Sequence, residues 1–329
     1  MLLRLPDPER RFAGVRLCSD LPEPGELVRH DGEWRLELDF SGLDRLEYEF
    51  EVREGDGDRA RVRDPGNPER APGAFGEKSV LLAPGYAPPA WLQRDGIDGA
   101  IRRLAVPGRG LAAEVEVGIW TPADAEPGEP LPLLVAHDGP EYDALSRLTH
   151  FAAVSIADGA LPRHRIALLG PVDRNEWYSA SARYAGVLVR DVLPAIQTAV
   201  ATRGPVVGMG ASLGGLAMLH AQRRHPGSLD GLFLQSASCF MPRFDAHESG
   251  FPRYQRIVRF VRAALSGRDA AERVPVVMTC GTREENIHDN RVMARALGAT
   301  LHERADTHNY TAWRDAFDPH LTGLLERLW

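Results

Sequence analysis

Cysteine is scarce in this chain. Its 329 residues include three, Cys18, Cys239 and Cys280, with no paired spacing, so neither a disulfide framework nor a zinc site is expected. An excess of positive charge is also missing: a formal net charge of −7 leaves no basic footprint for nucleic acid. No apolar run reaches bilayer length, and the opening Met1-Leu2-Leu3-Arg4-Leu5-Pro6-Asp7 lacks the apolar region of a secretory leader. No membrane partner is therefore expected, and a cytoplasmic location is. There is no internal repeat or low-complexity tail, and no metal or organic cofactor is implied. The length suggests about two domains.

What the chain does have is concentrated at Pro205-Val206-Val207-Gly208-Met209-Gly210-Ala211-Ser212-Leu213-Gly214-Gly215. A short apolar run ends in glycines around one serine and enters the helical Leu216-Ala217-Met218-Leu219-His220-Ala221. That is strand, sharp turn, helix, with Ser212 at the apex of G-x-S-x-G. Gly210 and Gly214 allow strand and helix to approach closely, and the serine hydroxyl is pushed out at the C-terminal edge of a parallel sheet. The Leu213 N–H points to the same space. The alternative is a glycine-rich turn whose serine caps the helix.

Suitable partners follow in order. Gly231 to Ser236 reads as a buried strand, and Val274 to Cys280 as another, stopped by Gly281. Glu284 and Glu285 come directly after it, where a carboxylate would lie on the face from which Ser212 emerges. Glu284 is preferred because it is nearer the strand end; Glu285 stays open, and either could be a solvated acid at the start of the next helix. A helix from Asp289 to Leu297, closed by Gly298, and a strand from Thr300 to Arg304 lead to His308 in a loop. Serine, acid, histidine is the chain order of α/β-hydrolases. In that arrangement imidazole takes the serine proton and the carboxylate fixes the imidazole tautomer. A second oxyanion donor is expected where the strand Leu131 to His137 meets Asp138-Gly139. Pro140 has no N–H, so the donor is expected at Gly139 or Glu141, or the hole is built differently.

Asp138-Gly139, Gly210-Ala211-Ser212-Leu213-Gly214-Gly215, Gly281-Thr282-Arg283-Glu284 and His308 with Trp313 together resemble the esterase-D/enterochelin-esterase group of α/β-hydrolases. Arg174-Asn175-Glu176-Trp177-Tyr178 and the later Arg190-Asp191-Val192-Leu193-Pro194 look like that group's segment ahead of the nucleophile. The resemblance covers about residues 100–329. It implies an α/β-hydrolase fold and a serine esterase without cofactor, but not a particular substrate. Siderophore esterases, S-formylglutathione hydrolases, feruloyl esterases and mycolyltransferases share this core.

The front of the chain reads differently. Trp34, Leu36, Leu38 and Phe40 alternate with charged residues, as do Leu46, Tyr48, Phe50 and Val52, the mark of half-buried strands. Short strands and turns at this spacing suggest a small immunoglobulin-like β-sandwich. Gly32-Glu33-Trp34, Tyr48-Glu49-Phe50, Asp64-Pro65-Gly66-Asn67-Pro68 and Ser79-Val80 resemble the E-set module that precedes many siderophore esterases. Trp34 and Trp91 read as packing residues rather than sugar-stacking ones. Pro84 to Trp91 looks like a stiff linker, which gives an E-set domain over residues 1–95 and a hydrolase domain over 96–329.

Specificity is expected between about Ser238 and Val274, where Phe240 and a helix over Tyr254–Leu265 would overhang the serine, with Trp177 and Tyr178 on the other side. Arg174, Arg243 and Arg253 would suit an anionic ferric tris-catecholate. Each of these residues has a packing or solvated-surface alternative. The expectation is thus a serine carboxylic-ester hydrolase acting on a small-molecule ester, with Ser212, His308 and Glu284 catalytic. Leu213 and Gly139 would form the oxyanion hole, and Arg174, Trp177, Tyr178 and Phe240 would meet substrate. Siderophore esters come first. The alternatives are a carbohydrate acyl or feruloyl esterase with a glycan-binding module, or a binding protein on a retired hydrolase scaffold. Oligomeric state is left open.

Overall fold

The structure is a computed structural model that describes residues 1–22, 25–55, 57–74, 76–267 and 273–329. The chain forms two compact units. One comprises Met1–Ala87 with Gly281–Glu285 and Arg304–Ala312; the other comprises Pro88–Cys280, Asn286–Glu303 and Trp313–Trp329. No helix among the described residues is long and apolar enough to cross a membrane.

In the first unit, alternating sequences make two antiparallel sheets. One orders Leu2–Pro6, Glu33–Glu37 and Val28–His30; the other orders Gly25–Glu26, Phe12–Ser19, Arg45–Glu54, Lys78–Leu82 and Arg70–Ala71, with Arg59–Val62 also paired to Arg45–Glu54. Leu3, Leu5 and Trp34 from the smaller sheet share a buried core with Val15, Leu17, Leu46, Tyr48 and Phe50 from the larger. That is a sandwich, each strand placing every second side chain inside. Trp34 packs in this core and its indole N–H donates to Asp7 (3.1 Å). The strand Arg45–Glu54 departs from simple alternation: Arg45 and Glu47, on the face that reads as solvent, are buried too.

The second unit is carried by an eight-stranded sheet. Its strands are β1 (Gly99–Pro107), β2 (Glu114–Pro122), β3 (Leu131–His137), β4 (Arg165–Gly170), β5 (Thr202–Ala211), β6 (Gly231–Gln235), β7 (Val276–Gly281) and β8 (Thr300–Arg304). The spatial order is β1-β2-β4-β3-β5-β6-β7-β8. Pairing is antiparallel from β1 to β4 and parallel from β4 through β7. Every residue of β3 and β6 is buried, as expected for parallel strands covered on both faces. The chain leaves β3 for β4 on one side and returns to β5 on the other. The C-terminal ends of β3 and β5 therefore flank a switch point, where α/β sheets open a ligand crevice.

Two helices match expectation. Tyr254–Leu265 forms as read, and the helix Ile287–Leu297 stops at Gly298, whose φ of +66° is the left-handed C-terminal conformation. The C-terminal stretch breaks into Tyr310–Arg314, a wide turn over Phe317–Leu321 and Thr322–Leu328, with Pro319 interrupting the pattern. Trp91 packs against His150, Phe151 and Phe317, so it too is a packing residue.

Candidate active site

Ser212 sits between β5 and the helix Leu213–Arg224 at φ +54°, ψ −125°, a conformation that L-residues avoid unless the surroundings impose it. Three backbone bonds do so: Ser212 N–H donates to Gln235 O (2.9 Å), and the Ser212 carbonyl accepts from Leu216 (3.1 Å) and Ser238 (3.1 Å). A Cβ on Gly210 would lie 2.5 Å from the carbonyl carbon of Gly214, so the turn closes only with glycine there. Ser212 makes no side-chain capping bond to its helix. Its Oγ instead lies 3.0 Å from Ser238 Oγ. The hydroxyl therefore does not cap the helix.

At the neighbouring end of β3, Asp138 adopts φ +51° and Gly139 opens the helix Gly139–Ser146. A Cβ on Gly139 would fall 2.3 Å from Leu168 Cα, so only glycine fits. Gly139 and Leu213 are the first residues of their helices, so neither N–H is used by intrahelical bonding. His137 ties the two ends together. Its Nδ1 lies 2.9 Å from Gly214 O, which can only accept, so Nδ1 carries the proton. Its Nε2 then accepts from the Tyr184 hydroxyl at 2.9 Å. Complete burial pushes the His137 pKa down to about 4, which keeps this ring neutral.

Several residues expected to meet substrate are placed otherwise. The fork of Arg174 closes on Asp138, with Nε to Oδ1 at 2.9 Å and Nη2 to Oδ2 at 2.8 Å, and so braces the turn before Gly139. Trp177 and Tyr178 do not line an open side of the site. Both belong to the core: Trp177 stacks on Tyr184 (5.4 Å) and Tyr178 lies 4.3 Å from the His137 ring. Burying these two aromatic faces outweighs what exposure to a ligand would offer. Phe240 packs against Tyr254 and Phe251. Its segment is pinned at Asp245, whose Oδ2 accepts from Met241 N–H (2.6 Å).

The acid and the histidine belong to the other unit. His308 Nδ1 lies 2.7 Å from Glu284 Oε2, and Gly281 N–H donates to Oε1 at 2.6 Å. Both carboxylate oxygens are thus held, and Nδ1 donates, leaving Nε2 as the basic nitrogen. Glu285 is exposed, whereas the Glu284 carboxylate is buried. Of the two glutamates, Glu284 is the one that pairs with imidazole.

Beneath this pair is a network with no counterpart in the motif reading. Arg45 donates to Asn309 Oδ1 (2.7 Å) and Glu47 Oε1 (2.8 Å), and lies 3.8 Å from Asp306 Oδ2. Asn309 in turn donates to Asp306 Oδ1 (3.0 Å) and accepts from Ala312 N–H (2.8 Å). Lys78, the single lysine of the chain, stands 3.7 Å from both Glu47 and Asp20. Burial drives the Asp306 pKa up to about 7 in spite of Arg45. No local signal marks these residues, because Arg45 and Glu47 occupy the polar positions of an alternating strand. Ser238 and the His137–Tyr184 pair were likewise unmarked.

A strained serine between strand and helix, at the switch point of a sheet of this order, defines an α/β-hydrolase. The Esterase family model matches residues 109–324, and the chain belongs to that family; it is a carboxylic ester hydrolase. Among curated proteins, none matches the sequence. Solved structures extend the likeness over the whole chain. The enterobactin esterase of Shigella flexneri, crystallised in the presence of enterobactin, superposes with a TM-score of 0.79 at 20% identity, covering 100% of this chain and 93% of that one. The ferric enterobactin esterase of Salmonella typhimurium gives 0.79 at 18%, covering 99% and 93%. An S-formylglutathione hydrolase from Staphylococcus aureus gives 0.52 at 13%, covering 70% of this chain and 98% of that one. At these identities the likeness is one of fold.

Proposed function

We propose that this esterase cleaves siderophore esters of the enterobactin type through an acyl-serine intermediate. In this reading His308 Nε2 takes the proton from Ser212 Oγ as the oxygen attacks the ester carbonyl. Glu284 holds the imidazolium, and the Leu213 and Gly139 N–H groups receive the developing oxyanion. Collapse expels the alcohol, which takes the proton from His308. Water, deprotonated by the same imidazole, then releases the acid and regenerates Ser212. The observation that carries the chemistry is the Glu284–His308 bond, since it fixes the tautomer a general base needs. The substrate class rests on likeness in extent: the enterobactin esterases match both units, whereas a ferulic acid esterase covers 70% of this chain.

The test is product analysis with enterobactin, its linear trimer and methyl ferulate as substrates, for wild type and Ser212→Ala. Release of dihydroxybenzoyl-serine units by the wild type alone, at a kcat/KM well above that for ferulate, is expected. Preference for ferulate would move the substrate to the feruloyl class. Undiminished turnover by Ser212→Ala would end the assignment of the nucleophile.

A further inference from the structure

The second unit contains a hollow of about 830 Å³ that the ester chemistry does not use. It is walled by the C-terminal end of the helix Leu213–Arg224, by the helix Tyr254–Leu265 and by the start of the helix Ala182–Val187. Five arginines line it (Arg183, Arg223, Arg224, Arg256 and Arg259) against one carboxylate, Glu176. That concentration stands out in a chain of net charge −7. From Ser212 to Arg224 the helix rises about 18 Å at ~1.5 Å per residue, so the hollow lies well away from the nucleophile.

Glu176 is already occupied. It pairs with Arg253 and with Arg256 Nη1 (2.7 Å), while the remaining donors of Arg256 go to the carbonyls of Ser179 (2.6 Å) and Glu176 (2.5 Å). Arg183, Arg224 and Arg259 are exposed and have no carboxylate partner among the described residues. A helix C-terminus favours the basic residues of its last turn, which accounts for Arg223 and Arg224. It does not account for Arg183 and Arg259, which reach the same hollow from two other helices. His220 lies on the floor, edge-on to Phe260 at 4.8 Å. Burial, with Arg224 and Arg256 nearby, pushes its pKa down to about 4, so the floor adds no charge at neutral pH.

We propose that this arginine-walled hollow binds a small polyanion bearing two or more linked phosphate-type groups. A guanidinium offers a planar fork that matches phosphate oxygens two at a time. Forks arriving from three separate walls match linked groups better than a single ion. The concave shape and the volume suit a small molecule. A bound polyanion also relieves the mutual repulsion among arginines gathered around one hollow.

The test is calorimetric titration of the full chain with inorganic tripolyphosphate and with orthophosphate at 0.15 M salt. The variants are the rim pair Arg224→Gln/Arg259→Gln and, separately, Arg183→Gln, with hydrolysis of a neutral p-nitrophenyl ester checking that each is folded. Saturable one-to-one binding of tripolyphosphate is expected, at least tenfold tighter than orthophosphate and weakened at least tenfold in each variant. The His220 proton resonances would titrate at higher pH when tripolyphosphate is bound. Absence of saturable binding, several weak equivalents per chain, or unchanged affinity in the folded variants would overturn the proposal.

Discussion

Replacing Arg45 with methionine perturbs the network beneath the Glu284–His308 pair at its centre. Arg45 is 2% exposed and faces Glu47 at 2.8 Å and Asp306 at 3.8 Å. At the effective dielectric suited to such sites, a cation 4 Å from an anion is worth about 4 kcal/mol. Removing one partner of a buried ion pair typically costs about 3–5 kcal/mol, because the other charge is left behind. Glu47 keeps Lys78 at 3.7 Å, whereas Asp306 has no other cation in an ion pair with it among the described residues. Asp306 is therefore the group that takes up a proton when Arg45 is lost. Its pKa already stands near 7, so at pH 5 it is protonated with or without Arg45, and its share of the penalty disappears. Urea unfolding, read by hydrogen exchange in peptides spanning residues 304–312, should show Arg45→Met destabilised by about 3–5 kcal/mol at pH 8. At pH 5 the loss should be smaller by at least about 1.4 kcal/mol, one tenfold step in the equilibrium. Adding Glu47→Gln should restore part of the loss at pH 8, since Lys78 at 3.7 Å offsets the buried Glu47 carboxylate only in part once Arg45 is gone. Equal destabilisation at the two pH values, or a double variant less stable than the single one, would refute the electrostatic argument.

Other consequences can be checked separately. Glu284→Gln should lower kcat by about 10⁴ with little change in KM, because the amide no longer fixes the imidazole tautomer; a loss below tenfold in steady-state hydrolysis would remove Glu284 from the mechanism. Gly210→Ala places a methyl 2.5 Å from backbone and should cost about 1–3 kcal/mol or more, seen as a lower melting temperature together with loss of fluorophosphonate labelling at Ser212. His137 and His164 are buried and held near pKa 4, below their ordinary 6.5. The unfolded chain therefore binds more protons between those values, and stability falls as pH drops from 6.5 to 4, by about 3 kcal/mol for each group. Asp306 has the opposite sign: its raised pKa favours the folded state below about 4, and that advantage is lost as pH rises toward 7. Unfolding of His164→Phe and Asp306→Asn across pH 4–8 should flatten the acid limb and the near-neutral limb respectively; unchanged profiles would contradict both assignments.

Much of the catalytic core could be read from local pattern. The elbow at Ser212 is legible because a strand of β-branched residues, two glycines at fixed offsets and a helical run each leave a short-range trace. Steric demand does the rest: a Cβ at position 210 would lie 2.5 Å from the backbone of Gly214. The helix end at Leu297 was equally legible, since the glycine that closes it acts within one turn. The preference for Glu284 over Glu285 followed from its nearness to the strand end.

Burial and pairing over long separations left no such trace. Arg45 and Asn309, separated by 264 positions, become partners because one strand of the sandwich meets the loop after β8 within a single compact unit. Alternation assigns Arg45 to solvent, and no short window can contradict it. Arg174 resembles a ligand-binding arginine until Asp138 closes its fork, and Trp177 and Tyr178 resemble pocket walls until helix packing covers them. The arginine hollow arises in the same way, from three helices that share no motif. Local sterics and periodicity act between neighbours in sequence and could be read in advance. Partners for charges and aromatic faces are chosen by proximity in space, which exists only once the chain has folded.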